Sequence, residues 1–344
     1  MKRNLSRFVR IFTIEKWEEF EELFRGCGPT VFRGQGNSEW DLTTNYERNF
    51  LNNASRESSM LKRCIEEGHL FVENPPAEDD YVSWLAEMQH YGASTRLLDV
   101  TRSKYIALFF ALMGMEALTG MEREIDGAVW AIDIARSDAV LYNSLKSQLP
   151  CIEVDHVGVG FSDGIMPYQD TGWKIANAAV GCEPAGKITR ICSDLQRAKH
   201  KLNDYYEKGM VVHVVPQRSN RRLLAQQGEF LFPLDIKRSF VQNLLGSIGG
   251  ADYVGKLDEF GNAEDRNRAR ETVTPNVIKT VVPYSLKEEF VERLLEMNIS
   301  YQTLFPDEMG FMKSLQFQQC RKRAGIKLEN TKGRGLVFSR PDFL

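Results

Sequence analysis

The segment from Met88 to Ala111, MQHYGASTRLLDVTRSKYIALFFA, limits the possible fold more than any other part of the chain. It reads as a polar loop or strand, then a turn, then an apolar run at helical spacing that predicts a helix with a buried face. Chemically functional side chains are concentrated before that helix: His90, Tyr91, Ser94, Thr95, Arg96, Asp99 and Thr101. Turn-forming residues alone would suffice to connect a strand to a helix, so this density indicates a functional site.

A second dense site lies upstream of this segment. Val31 to Gly36 reads VFRGQG, two apolar residues followed by Arg-Gly-Gln-Gly, and Trp40 and Leu42 come shortly after. The ordered pattern FRGQ, W-x-L, QHYG-x-x-TRLLD-x-T and A-L-x-F-A resembles the FRG domain, which is named for its Phe-Arg-Gly signature. Weaker echoes of the pattern are RLLAQQGEF, which begins at Arg222, and LFPD, which begins at Leu304. The resemblance implies a module without one defined activity, so function has to be argued from the residues.

Composition and charge indicate a globular protein of the cytoplasm. Of the 344 residues, 42% are hydrophobic, which is ample for a large core, and a net charge of −3 gives no overall attraction for nucleic acid or an anionic membrane. The sequence has no run of about 18 apolar residues and no apolar stretch of a signal peptide near Met1, so we expect no membrane association. The six cysteines are scattered without C-x-x-C spacing, which argues against a zinc site or a disulfide framework.

Apolar patterns predict both strands and helices along the chain, and the fold we expect is α+β, with a central mixed or antiparallel sheet flanked by helices. Strands are predicted at 30–33, 127–134, 210–215, 227–233 and 277–282. Helices are predicted at 14–25, 46–73, 81–90, 188–208, 237–245, 286–297 and 309–319. We expect a single domain over 1–344, made of an N-terminal helix (1–28), a core (29–245) with a glycine-rich insertion at about 150–190, and a C-terminal α/β extension (246–344).

The order of three segments resembles the Arg, Ser/Thr, Glu arrangement of the ADP-ribosyltransferases. The residues concerned are, in chain order, Arg33-Gly34, then Asp99-Val100-Thr101 with Ala107 and Phe110 beyond, and then Gln227, Glu229 and Pro233. In that superfamily an Arg-Gly holds the NAD phosphates, a Ser/Thr strand precedes an Ala-x-x-Phe helix, and Gln-x-Glu opens a strand that ends in Pro. The resemblance implies an ADP-ribosyltransferase-like fold and NAD as the substrate. The chain would then transfer ADP-ribose to an unknown acceptor or hydrolyse it, as a toxin or defence effector.

The residue types suit that chemistry. Cleaving the nicotinamide glycosidic bond builds an oxocarbenium-like transition state, which Glu229 can stabilise while it accepts a ribose hydroxyl. Arg33 can clamp the pyrophosphate, and Gln227 would position the acceptor, so these three are the candidate catalytic residues. The candidate ligand-binding residues are Gly34, Gln35, His90, Tyr91, Thr95, Arg96, Asp99, Thr101 and Phe110. Among them, Tyr91 or Phe110 would form an aromatic wall for nicotinamide and His90 would contact the ribose.

Structural roles are open for the same residues. Arg33 can pair with Asp99 to hold two strands together, and Asp99 can cap the helix that follows. Glu229 can face solvent from an exposed strand position, and His90 can be a packing histidine. Ser94, Thr95 and Thr101 can be turn and cap residues.

Two other functions are open at this point. A non-catalytic FRG module would bind a nucleotide or phosphorylated ligand through Arg33, His90, Arg96 and Asp99, and would act through a partner. Nucleic-acid binding would depend on Arg218, Arg221, Arg222 and the basic tail from Arg321 to Arg334, with steep salt dependence as its signature.

Several common chemistries are not supported by the motifs. No second His or Cys stands at ligand spacing from His90, so no metal is expected. Gly34-Gln35-Gly36 lacks the spacing of a phosphate-binding or Rossmann loop. Ser94 lacks the Gly-x-Ser-x-Gly context of a hydrolase nucleophile.

Overall fold

One seven-stranded sheet forms the centre of the protein. The computed structural model describes residues 9–25, 30–50, 54–118, 124–134, 209–215, 220–247 and 277–317, and also 172, 173, 176, 177 and 180. The strands are β1 (Val9–Thr13), β2 (Thr30–Gln35), β3 (Leu98–Thr101), β4 (Gly127–Asp133), β5 (Val211–Val214), β6 (Gly228–Pro233) and β7 (Val277–Val282). Their order is β1-β7-β4-β2-β3-β6-β5. The β1–β7 pair is parallel and the other pairs are antiparallel, so the sheet is mixed.

Helices flank this sheet. They are α1 (Trp17–Leu23), α2 (Asn45–Phe50), α3 (Ala54–Glu67), α4 (Tyr81–His90), α5 (Lys104–Leu118), α6 (Arg221–Ala225), α7 (Phe240–Ser247), α8 (Lys287–Glu296), α9 (Tyr301–Leu304) and α10 (308–317). Side-chain caps fix several of the starts. Asp80 accepts from Ser83 N ahead of α4, Asn220 accepts from Leu223 N ahead of α6, and Ser103 accepts from Ile106 N ahead of α5.

Alternation along the strands gives each face of the sheet its own core. Phe32 packs with the buried side chains of α1, α5 and α8, and we call this side the α5 face. Its neighbour Val31 packs instead with Val100, Trp130 and Phe240 of α7, on what we call the α7 face. Successive side chains of a strand point to opposite faces, so the cluster to which a strand residue belongs identifies its face.

The sheet is split between β2 and β3. β2 pairs with β4 over six residues, from Thr30 to Gln35, but with β3 only at Phe32 opposite Thr101. We call the unpaired stretch between the two strands, which begins where Arg33 of β2 faces Val100 of β3, the seam. A seam in the middle of a sheet leaves backbone groups and side chains of both strands available to other partners.

Helix α5 packs against β2 so closely that only glycine fits at one position. A Cβ on Gly34 would overlap the carbonyl oxygen of Ala107 and lie 2.7 Å from the amide nitrogen of Ala111. We expect Gly34→Ala to lower the free energy of unfolding by at least about 1–3 kcal/mol, because the helix would have to move away from the strand. Urea denaturation measures this loss. The double variant with Ala107→Gly should not recover it, since the overlap is with backbone; recovery would show that the packing can relax.

The predicted α+β class with a mixed sheet and flanking helices is confirmed. Predicted strands at 127–134, 210–215, 227–233 and 277–282 correspond to β4 to β7, and the predicted helix 81–90 is α4. Strand β1 was not predicted within 1–28, because most of its side chains are exposed and show no alternation. The predicted helix 46–73 is divided into α2, α3 and a 3₁₀ turn (Gly68–Leu70). The helix 188–208 and most of the insertion at 150–190 lie outside the described residues, and the single domain stays a prediction.

Candidate functional site

A cavity of about 770 Å³ lies beside the seam, within the size range of small-molecule sites. Strands β2, β3 and β6 contribute Phe32, Arg33, Gly34, Asp99, Val100, Thr101, Gly228, Glu229 and Phe230 to its lining. The remaining walls come from the segment 72–76, α4 and the residue after it, Phe110 of α5, the region of α6, and Phe305. We call this cavity the cleft.

Arg33 and Glu229 lie in one row across three strands. Val100 is opposite Glu229 in the β3–β6 ladder, and the Phe32–Thr101 pair aligns Arg33 with Val100 across the seam. Residues directly opposite one another share a face, so Arg33, Val100 and Glu229 are all on the α7 face. At least two strand spacings, or at least about 10 Å, separate the backbones of the arginine and the glutamate.

The Glu229 carboxylate is buried and held from two sides. The residue is 2% exposed; its Oε2 lies 2.7 Å from His213 Nε2 on β5, and its Oε1 lies 3.1 Å from Arg102 Nε. Solvent exposure, the structural alternative for Glu229, is therefore wrong. The two contacts engage both carboxylate oxygens and restrict the orientation of the side chain.

Arg33 links β2 and β3, the two strands that border the seam. Its Nη1 donates to the backbone carbonyl of Asp99 at 2.7 Å and lies 3.9 Å from Asp99 Oδ2. Its Nε is buried and has no hydrogen-bond partner among the described residues. Burial lowers the pKa of the Arg33 guanidinium, opposed by the Asp99 charge, although an arginine stays protonated. The pairing that was open from the sequence is thus present, and the Arg33 side chain, which is 19% exposed, lines the cleft.

Two consecutive side-chain hydrogen bonds, which we call the relay, orient the Asp99 carboxylate. Gln89 Nε2 donates to Asp99 Oδ1 at 2.7 Å, and Thr95 Oγ1 donates to the Gln89 Oε1. The Asp99 side chain is nevertheless 63% exposed. Capping of α5, the structural alternative for Asp99, is wrong, because Thr101 Oγ1 accepts from Ser103 N and the Ser103 hydroxyl caps α5. The relay leaves an exposed, pre-oriented carboxylate in the cleft.

The family model of the FRG domain matches residues 28–119. The chain carries an FRG domain. The match extends from just before β2 to the end of α5, so it includes Arg33, Asp99 and Phe110 but not Glu229 or Phe305. No curated protein and no solved structure matches the chain.

Most of the predicted site residues line the cleft. Within the FRG domain these are Arg33, Gly34, His90, Tyr91, Asp99, Thr101 and Phe110, and Glu229 joins them from β6. Thr101 is on the α5 face, opposite to that of Glu229, because it pairs with Gly228. Its hydroxyl donates to the Gln226 carbonyl at 2.7 Å and accepts from Ser103 N at 3.1 Å, which fits the structural alternative of a cap residue.

Four predicted site residues are placed elsewhere. Arg96 is 2% exposed, is paired with Glu57 of α3 and lies over the Phe232 ring, so a ligand cannot reach it. Gln35 is buried, accepting from Trp130 Nε1 and donating to the Asp41 carbonyl, and Thr95 is buried within the relay to Asp99. Gln227, with a φ of 47°, lines a second cavity of about 380 Å³ beside Arg102 and Tyr105 instead of the cleft.

Three residues beyond the FRG domain, Arg222, Phe305 and Asp307, form or support a wall of the cleft and were not predicted as part of this site. Arg222 lies over the Phe305 ring, its Nη2 is 2.9 Å from Asp307 Oδ2, and its buried Nε has no partner among the described residues. A hydrogen bond from the Gly310 amide lowers the pKa of Asp307, with Arg222 adding to the effect. The sequence did indicate this wall, through the two weaker matches to the FRG pattern, RLLAQQGEF and LFPD. Gln89 had a signal too, since it precedes His90 in the QHYG motif.

No metal centre and no membrane span is found in the ranges that the structure describes. Within them no group of three or more His, Cys, Asp or Glu side chains is arranged to hold a metal ion. None of the helices in the same ranges is both long and apolar enough to cross a bilayer.

Proposed function

We propose that the cleft binds NAD and that the chain transfers the ADP-ribosyl group to an acceptor or to water. The observation that carries this proposal is the row in which Arg33 and Glu229 share one face of the sheet and line one cavity. An arginine for phosphate and a carboxylate for an oxocarbenium-like ribose are the two charges that the reaction needs. The fold would then be ADP-ribosyltransferase-like, as the order of the motifs implies.

The cleft offers hydrogen-bonding capacity that a nucleotide can use. Three buried polar atoms with no partner in the described part of the chain belong to residues that line it: Arg33 Nε, Arg222 Nε and Ser83 Oγ. An unsatisfied buried polar atom costs free energy, so a polar ligand that binds these atoms after a small side-chain adjustment would recover it. Phe110 and Phe305, whose ring centroids are 6.0 Å apart, provide an aromatic wall for nicotinamide.

The proposed reaction breaks one bond and forms one. The bond from ribose C1′ to the nicotinamide nitrogen breaks, and its electron pair leaves with nicotinamide as a neutral molecule. The acceptor oxygen or nitrogen bonds to C1′ and releases a proton. Glu229 would stabilise the positive charge that develops on the ribose between these events. Loss of cellular NAD through this reaction fits a toxin or defence effector.

A non-catalytic nucleotide-binding module is the second candidate. Gln227, which the resemblance assigns to the acceptor, lines a different cavity, and the Thr101 hydroxyl is already engaged on both sides. Arg33, His90 and Asp99 would still line a ligand site in such a module.

NAD binding and nicotinamide release by the purified chain test the proposal together. We expect calorimetry to detect NAD binding and chromatography to detect free nicotinamide. Arg33→Gln should weaken NAD binding by about tenfold or more, because a charge-assisted phosphate contact is lost. Arg63→Gln on the exposed surface of α3 is the matched control and should bind NAD as wild type does. Binding without release favours the second candidate, and the absence of both overturns the proposal.

A further inference from the structure

The Asp99 carboxylate has acceptor capacity directed at the cleft. One oxygen, Oδ1, accepts from Gln89, whereas Oδ2 has only the distant Arg33 Nη1 at 3.9 Å among its described contacts. A carboxylate has about four lone-pair positions, so most of them remain open on this 63% exposed side chain. The relay from Thr95 through Gln89 restricts the orientation of the carboxylate before any ligand arrives.

This carboxylate lies beside the proposed phosphate anchor. A negative group held against Arg33 would be close to Asp99, and the two like charges would repel one another. A bare phosphate or a polyphosphate is therefore poorly suited to this part of the cleft. Hydroxyl groups next to the phosphate are well suited, because they can donate to Asp99 while the phosphate contacts Arg33.

We propose that Asp99 accepts hydrogen bonds from the hydroxyls of one ribose of the dinucleotide, the ribose next to the phosphate that Arg33 contacts. This inference rests on the proposed function and names the ligand class more narrowly. The ligand is a nucleotide with free ribose hydroxyls, and a phosphate ester at those hydroxyls is rejected. Gln89 is the positioning residue for this contact, and Glu229 serves the other, reacting ribose.

The test pairs changes in the ligand with changes in the protein. Calorimetry would compare NAD with two analogues, each lacking both hydroxyls of one ribose. We expect wild type to bind one analogue about tenfold or more weakly than NAD, as a hydrogen bond to a charged group is lost. In Asp99→Asn that analogue and NAD should bind within about twofold of each other, because the coupling between hydroxyl and carboxylate has been removed.

Two further variants keep the test decisive. Gln89→Leu leaves Asp99 in place but removes its donor, and should reduce the discrimination between NAD and the same analogue. Asp79→Asn removes an exposed carboxylate outside the cleft and should keep the full discrimination. Thermal melting of each variant shows whether it is folded.

Failure of this inference is distinguishable from failure of the proposed function. If NAD binds but wild type holds both analogues as tightly as NAD, or if Asp99→Asn still discriminates against each analogue that wild type binds weakly, the hydroxyl contact is overturned while NAD binding stands. If wild type does not bind NAD at all, the proposed function falls and the contact falls with it.

Discussion

Glu57→Gln is expected to lower the free energy of unfolding by about 3–5 kcal/mol, because it removes the negative charge that Glu57 places against the buried Arg96 guanidinium. Glu57 is 1% exposed, and its two carboxylate oxygens accept from the backbone nitrogen and the Nε of Arg96. The pair links α3 to the chain just before β3. Natural domains are stable by only about 5–15 kcal/mol, so this single change should remove a large fraction of the total.

An exposed pair on the same helix provides the matched control for Glu57. Glu66 lies 3.7 Å from Lys62, and both side chains are more than 60% exposed. Glu66→Gln should change stability by no more than about 0.5 kcal/mol, since solvent screens an exposed pair. Urea midpoints and melting temperatures measure both variants. Equal midpoints for Glu57→Gln and Glu66→Gln would show that the buried pair contributes nothing.

Glu229→Gln is expected to reduce nicotinamide release about 10²–10³-fold while NAD binding changes little. The amide keeps the shape of the side chain but loses the negative charge that the proposed transition state needs. Single-turnover release of nicotinamide from saturating NAD isolates this step from binding. Glu288→Gln, on the exposed surface of α8, is the control and should release nicotinamide at the wild-type rate.

The stability of Glu229→Gln has to be measured beside its activity. His213 and Arg102 both lose an ionised partner in this variant, so its melting temperature is expected to fall as well. A folded Glu229→Gln protein that still releases nicotinamide at the wild-type rate would rule out the catalytic role. Arg33 and Asp99 would then remain as parts of a ligand-binding site.

Local patterns of apolar residues predicted the strands and helices wherever burial gave the apolar residues a recognisable pattern. The sequence of β4, GAVWAID, is almost wholly apolar, and each of its first six residues is buried. β1 offers no such signal, because its Ile11 is 61% exposed on a strand at the margin of the sheet. The strand forms through pairing with β7, which lies more than 250 residues later in the chain. A strand whose partner is so distant in the chain cannot be predicted from a short window of sequence.

Residue type predicted which residues line the cleft better than it predicted where each side chain lies. Arg96 and Asp99 belong to one motif, yet Arg96 is buried and Asp99 faces the cleft, because the partner of Arg96 is Glu57, 39 residues upstream. The shared face of Arg33 and Glu229 depends on the register of β3 against β6. A shift of that register by one residue would move Glu229 to the other face. Gln227 illustrates the same point, since the backbone leaves the strand conformation at a φ of 47° and turns its side chain to the second cavity.

The seam separates two strands whose hydrogen-bonding partners come from different regions of the chain. Residues 28–119 contain β2 and β3, which share one residue pair, while β2 pairs along its length with β4 and β3 with β6. Both of these partner strands lie outside the matched stretch. Residues 28–119 by themselves would therefore present two strands with open hydrogen-bonding edges. The stretch that the FRG model matches therefore does not include the strands that complete the hydrogen bonding of β2 and β3 in this chain.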